Sequence, residues 1–168
     1  MGGVVVLLVG HGVPPSDYPR ERLAEYMRLK TLAEAGDRRA GEQYGRLERE
    51  MRRWPRTKEN DPYWAGVMEL AREIKRAGGF ASVKVAFNEF CAPDLEEAFE
   101  EVSKLDIDTV VVVPTMIVRG GEHSETEIKE KIDAAKKRHP RLNILYAWPF
   151  DLAMQAEFFA AHVNRFIL

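Results

Sequence analysis

Val4-Val5-Val6-Leu7-Leu8-Val9, followed at once by Gly10-His11-Gly12, is the stretch on which the fold turns. The run is continuously apolar and does not alternate, as expected of a strand buried on both faces of a parallel sheet. It has no basic flank and no small-residue cleavage site, so it reads as a first strand and not as a signal peptide. Three further β-branched or apolar runs follow at residues 82–87, 109–113 and 143–147. Of these, the one at 109–113 is as continuously apolar as the first.

Helical periodicity fills the intervals. Trp64, Val67, Met68, Ala71 and Ile74 share one helical face, with Asp61-Pro62 to open the helix and Gly78-Gly79 to close it. Leu95, Ala98, Phe99, Val102 and Leu105 repeat the pattern after Pro93. Ser124 and Glu127 have the spacing of a capping box ahead of Ile128 and Ile132, and Pro140 stops that helix. A last apolar stripe, Leu152, Ala156, Phe159, Val163 and Phe166, follows Asp151 as cap. Alternating strands and helices predict an α/β fold with a parallel four-stranded sheet and helices on both faces. With right-handed crossovers, the simplest doubly wound order is 2-1-3-4.

The first crossover is much longer than such a unit needs. Residues 18–35 and 37–53 predict two extra helices hinged at Gly36. The second carries a thin stripe of Tyr44, Leu47 and Met51 among Arg38, Arg39, Arg46, Arg49, Arg52 and Arg53. Most of these arginines are expected on a solvated face with Glu42, Glu48 and Glu50. No repeat, linker or low-complexity tract interrupts the chain, so a single domain with a helical insertion at about residues 15–60 is expected.

Bulk properties remove several function classes. The 168 residues suffice for one packed core, and a formal net charge of −2 gives no basic field for nucleic acid. No apolar run approaches the roughly 20 residues of a membrane span. The lone Cys91 cannot form an internal disulfide, which fits a reducing cytoplasm.

In a doubly wound sheet, ligands bind beyond the carboxyl ends of the strands near the point where strand order reverses. Three chemistry-bearing residues fall there: His11 after the first strand, Glu89 after the second, and His123 in the loop after the third. Each alone has an ordinary reading as a turn, surface or hydrogen-bonding residue; their shared rim singles them out. Two imidazoles and a carboxylate suit divalent cobalt, nickel, iron or zinc. Glycines beside the histidines, Gly12, Gly120 and Gly121, would let the backbone turn sharply and a large flat ligand approach. No His-Glu-x-x-His or other short metal motif is present, so the site must be assembled in space. His139, at a charged helix end, and His162, in the last helix, are expected to be structural. Cys91 is expected to be a buried, inert thiol, and Trp148 and Phe150 core or dimer contacts.

The first strand ending in His11-Gly12, Glu89 followed by Pro93 and a helix, and a strand ending at Pro114 with Gly120-Gly121-Glu122-His123 downstream together resemble the short CbiX-type sirohydrochlorin cobaltochelatases, class II tetrapyrrole chelatases. The likeness covers the core, roughly residues 4–12 and 66–147. It implies a chelatase-like, flavodoxin-like fold and insertion of a divalent metal into sirohydrochlorin or a related tetrapyrrole. Cobalt is the first expectation, nickel or iron the next; the metal is a substrate and no organic cofactor is implied. Carried over, His11 and His123 hold the metal and Glu89 assists proton removal. Arg119 would serve the ring carboxylates, with Gly12, Gly120 and Gly121 beside the ring. A homodimer is implied as well, because the short forms resemble half of a longer chelatase. Two departures stand out: Val13-Pro14-Pro15 follows His11-Gly12 where the family usually has Ser, and the insertion is longer than a short form requires.

Rival readings have less support. Histidine phosphatases place Arg directly before their histidine, where this chain has Gly10. A nucleotide binder would need a glycine-rich phosphate loop after the first strand, and none is there. A non-catalytic metal or tetrapyrrole carrier would use the same histidines, and only turnover separates it from a chelatase.

Overall fold

In the computed structural model, which describes residues 3–167, four strands form one parallel sheet in the order 2-1-3-4. The elements run β1 (Val4–Gly10), α1 (Arg20–Glu34), α2 (Arg38–Arg52), α3 (Pro62–Gly78), β2 (Ser82–Phe87), α4 (Leu95–Val102), β3 (Thr109–Pro114), a π-helical turn (His123–Glu127), α5 (Ile128–Arg138), β4 (Asn143–Tyr146) and α6 (Leu152–Asn164). Both the predicted order and the alternation of strand and helix are found.

The central strand β1 is apolar throughout because helices cover it on both sides. On one side Val5, Leu7 and Val9 join Val110, Val112 and Ile144 against Leu95, Phe99 and Val102 of α4 and Ile128 and Ile132 of α5. On the other side Leu8, Val85 and Phe87 pack against Val67 and Ala71 of α3. Each fully buried side chain of this size contributes about 1.5–3 kcal/mol. The α3 boundaries follow the sequence signals: Asp61 Oδ1 accepts the Trp64 N–H at 2.8 Å, and Gly79 closes the helix at φ 63°. A capping box not anticipated from sequence opens α4, where Asp94 and Glu97 exchange bonds with each other's backbone N–H.

Two expectations need correction. The run at 109–113 is covered fully on one face only: Val110 and Val112 are buried, whereas Val111 and Val113 are half-buried and Leu145 beside them on β4 is 47% exposed. The helix that could have covered this side, α6, buries none of its side chains. Nor does Ser124 cap α5. The π-helical turn has already placed Ser124 inside helical backbone, where it is buried and its hydroxyl donates to the Met116 carbonyl at 3.1 Å.

The region between β1 and α3 is a helical hairpin. Gly36 makes its turn at φ 93°, and Asp37 caps α2 by accepting the Ala40 N–H at 3.0 Å. Tyr18, Tyr26, Leu29, Leu47 and Met51 form its core, and Phe90 from the loop after β2 enters that core. Most hairpin arginines are solvated, as expected, but Arg52 is not: it donates to the carbonyls of Asn88 at 3.0 Å and Cys91 at 3.1 Å. Arg56 lies just beyond α2, with its buried guanidinium paired to the buried Asp61 carboxylate. It also donates to the carbonyls of Val13, Met51 and Phe90. The hairpin therefore grips the backbone of the loop that carries Glu89.

Candidate functional site

Strand register brings the two histidines together. Past the paired ends of β1 and β2, the ladder continues: Asn88 N–H donates to the Gly10 carbonyl at 2.9 Å and Glu89 N–H to the His11 carbonyl at 2.7 Å. On the other side of β1, Thr115 N–H donates to the Val9 carbonyl at 2.9 Å. The loops after β1, β2 and β3 thus leave one rim together. Gly12 stands at φ 91°, and a Cβ there would collide with the Glu89 carbonyl oxygen. Its missing side chain accommodates a neighbouring loop, whereas Gly120 faces open space at φ 86°.

On this rim the imidazoles of His11 and His123 meet edge to face, with centroids 4.8 Å apart and planes inclined at 68°. His11 is held from three directions. Its backbone N–H donates to the Tyr63 hydroxyl at 2.9 Å, its ring lies 6.2 Å from that of Phe90, and its Nδ1 lies 2.6 Å from the Gly12 carbonyl oxygen. A carbonyl can only accept, so Nδ1 carries the proton in that bond and the lone pair of the neutral ring lies on Nε2.

His123 reaches the same state through side chains. Its Nδ1 lies 2.9 Å from Glu127 Oε2 and 3.0 Å from Asn88 Nδ2; the amide donates to that carboxylate oxygen at 2.6 Å, and Nδ1 keeps its proton by donating to the same oxygen. Asn88 is buried, and its Oδ1 accepts from Lys131 Nζ at 3.0 Å, which fixes which way its amide points. Burial opposes the charge on Glu127, but the bonds from Asn88 and His123 outweigh it and lower its pKa. Lys131 is shifted down, first by burial and then by the charge of Arg52.

The Glu89 carboxylate is engaged by Lys30 from α1, at 2.9 Å. Arg119 sits in the exposed loop after β3, with one guanidinium nitrogen 3.4 Å from the Phe150 carbonyl oxygen. The Gly120 N–H donates to Glu125 at 3.1 Å. Thus His11, His123 and the Glu89 backbone converge, while Arg119, Gly120 and Gly121 occupy the outer edge. Beside Tyr63 a cleft of about 460 Å³ opens between α3 and the end of β3, lined by Val67, Leu70, Thr115 and Met116. Cys91 is buried, and burial pushes its thiol up to about 11, away from nucleophilic use. Among the described residues, no three or more His, Cys, Asp or Glu side chains are grouped to enclose a metal ion.

Tyr63, Lys30, Asn88 and Lys131 were not singled out from sequence, and Glu127 was read there only as part of a capping box. A signal existed for one of them: His123 and Glu127 are four residues apart, the spacing of neighbours on a helical face.

A four-stranded parallel α/β sheet in the order 2-1-3-4, with a histidine pair on its carboxyl rim, defines a doubly wound class of protein with its candidate site at the strand ends. The sequence profile of the CbiX family matches residues 59–165, and the chain belongs to that family. It is 32% identical over 72 residues to a sirohydrochlorin cobaltochelatase of Methanopyrus kandleri, a match covering 42% of this chain and 50% of that protein. Over 69 residues it is 28% identical to a sirohydrochlorin ferrochelatase of Priestia megaterium, covering 41% of this chain and 26% of that protein. These matches span half or less of the relatives' own length. The crystal structure of a CbiX protein from Marinobacter aquaeolei VT8 superposes with a TM-score of 0.52 at 13% identity, over 97% of both chains, and shares the fold.

Proposed function

We propose that this protein inserts a divalent metal into sirohydrochlorin or a closely related tetrapyrrole, with cobalt the first choice and nickel or iron the alternatives. One observation carries the reading: two adjacent imidazoles each have Nδ1 within hydrogen-bond reach of an acceptor, and the tautomer those acceptors favour leaves the Nε2 lone pairs free. Such a pair suits a borderline divalent cation. Two protein ligands leave the other coordination positions to water and then to the ring nitrogens, so the metal can be passed on. Both cobalt- and iron-inserting relatives are similar to this chain, so family membership leaves the metal open.

Insertion replaces two pyrrole N–H protons with the metal and releases both protons. Glu89 is the proposed acceptor of one, with the carboxylate held near the rim by Lys30. Arg119, on the outer edge, is suited to a ring carboxylate. Gly12 keeps the loops close, and Gly120 and Gly121 leave room for the flat macrocycle.

A homodimer belongs to the same reading, with α6 and the half-open face of β3 and β4 as the surface covered. Leu152, Met154, Phe158, Phe159 and Val163 are each at least half exposed. A reducing cytoplasm fits the unpaired Cys91, and no helix among the described residues is long and apolar enough to cross a membrane.

The test is an anaerobic absorbance assay with sirohydrochlorin, Co²⁺ and substoichiometric protein. Repeated turnover to the metallated spectrum, lost when His11 and His123 are both replaced by Ala, is the expected result. Conversion that stops at one ring per site would replace the chelatase with a carrier. Full activity in the double variant would remove the histidines from the mechanism.

A further inference from the structure

We propose that Glu127 is a positioning residue that selects the tautomer of His123, and that Asn88 and Lys131 hold Glu127 in place to do so. The inference rests on the reading of His123 as a metal-holding residue and assigns the group that prepares it.

A free neutral imidazole has a choice of proton positions, and a ligand nitrogen must be the unprotonated one. For His11 the choice is settled locally, by the carbonyl of its own neighbour Gly12. His123 depends on a chain of side chains from three elements. Glu127 Oε2 lies 2.9 Å from Nδ1 across one turn of helix and accepts its hydrogen bond; Asn88 Nδ2, a donor 3.0 Å from the same Nδ1, favours the opposite tautomer, and the charge on Glu127 outweighs it. The same oxygen receives Asn88 Nδ2 at 2.6 Å, so the carboxylate cannot swing away without losing a second bond. Asn88 is itself fixed at every polar atom. Its N–H donates to Gly10, its carbonyl accepts from Arg52 at 3.0 Å, and its Oδ1 accepts from Lys131 at 3.0 Å. Lys131 ensures that the amide presents its NH₂ group, not its oxygen, toward the carboxylate. Arg52 ties the arrangement to the helical hairpin, so the hairpin reaches the metal site through the Asn88 backbone. Carboxylates that accept the second ring proton of a metal-binding histidine orient the ring and raise its basicity, and their loss typically costs about 10–100-fold in metal affinity.

Imidazole ¹⁵N spectra of the metal-free protein at about pH 8, above the ordinary histidine range, read the tautomers directly. His123→Ala assigns the signals, and His11 serves as the internal control. The expected result is a protonated Nδ1 on His123 in the parent, a shift toward protonated Nε2 in Glu127→Ala, and little change in Glu127→Gln, whose amide oxygen still accepts. His11 should keep its tautomer in all three. An unchanged His123 tautomer in Glu127→Ala, or protonated Nε2 in the parent, overturns the proposal. Co²⁺ titration followed by its visible absorption supplies the second readout. Glu127→Ala should bind about 10–100-fold more weakly, with Glu127→Gln between it and the parent. A parent that fails to bind Co²⁺ would overturn the proposed function, while the tautomer spectra would still decide the role of Glu127.

Discussion

The hairpin of α1 and α2 and the helix α6 are both helical additions to a four-stranded core, yet they meet opposite fates. The hairpin buries Tyr26, Leu29 and Met51 against itself and against Phe90, and it sends Arg52 and Arg56 to carbonyls of the site loop. Helix α6 has the stronger apolar composition and fully buries none of its side chains, with Phe158 62% and Phe159 50% exposed. An apolar stripe identifies a surface to be covered; it does not say whether the cover comes from the same chain.

The sharpest way to break that contrast is Arg56→Ala. The substitution strands the buried Asp61 carboxylate and frees three backbone carbonyls, so urea unfolding should show a loss of about 3–5 kcal/mol. A loss below about 1 kcal/mol would mean that the hairpin is as loosely attached as α6.

Phe158→Glu tests the other side. Because the ring touches little else within one chain, folding of the monomer should change by no more than about 0.5 kcal/mol. If a second copy covers α6, sedimentation should instead show a weakening of association worth about 2 kcal/mol or more. An unchanged dimer would move the interface elsewhere.

The smallest effect is expected at Lys30, which connects the hairpin to Glu89. Burial lowers its pKa, but the bond to Glu89 and that residue's charge outweigh it, so the net shift is upward. A cation with a raised folded pKa stabilises the fold below its unfolded value and loses that contribution as pH rises through the folded one. Lys30→Met should therefore cost about 1 kcal/mol or less from neutral pH to about 10, and the gap to the parent should close at higher pH. A gap that persists unchanged in strong alkali would assign the effect to packing and not to the ion pair.

Much of this architecture was legible. Continuous apolar strands, Asp61-Pro62 before α3 and Gly79 after it led to the sheet order and to the rim where His11, Glu89 and His123 fall. Less legible was what each residue does on that rim. Glu127 matched a capping box with Ser124, but the π-helical turn uses it to hold His123 instead. Asn88, one residue from Glu89, has no motif to mark it, because its importance lies in partners at Glu127, Lys131 and Arg52.

Sequence by itself determined the alternation of strands and helices, because periodicity and caps act within a few residues along the chain. It also determined which residue types stand at the strand ends. Only the tertiary structure decided that the two imidazoles meet at 4.8 Å, that Lys30 engages Glu89, and that the hairpin folds inward while α6 stays open. Those outcomes depend on contacts between residues tens of positions apart, where local preference is silent and packing and hydrogen-bond satisfaction choose the partner.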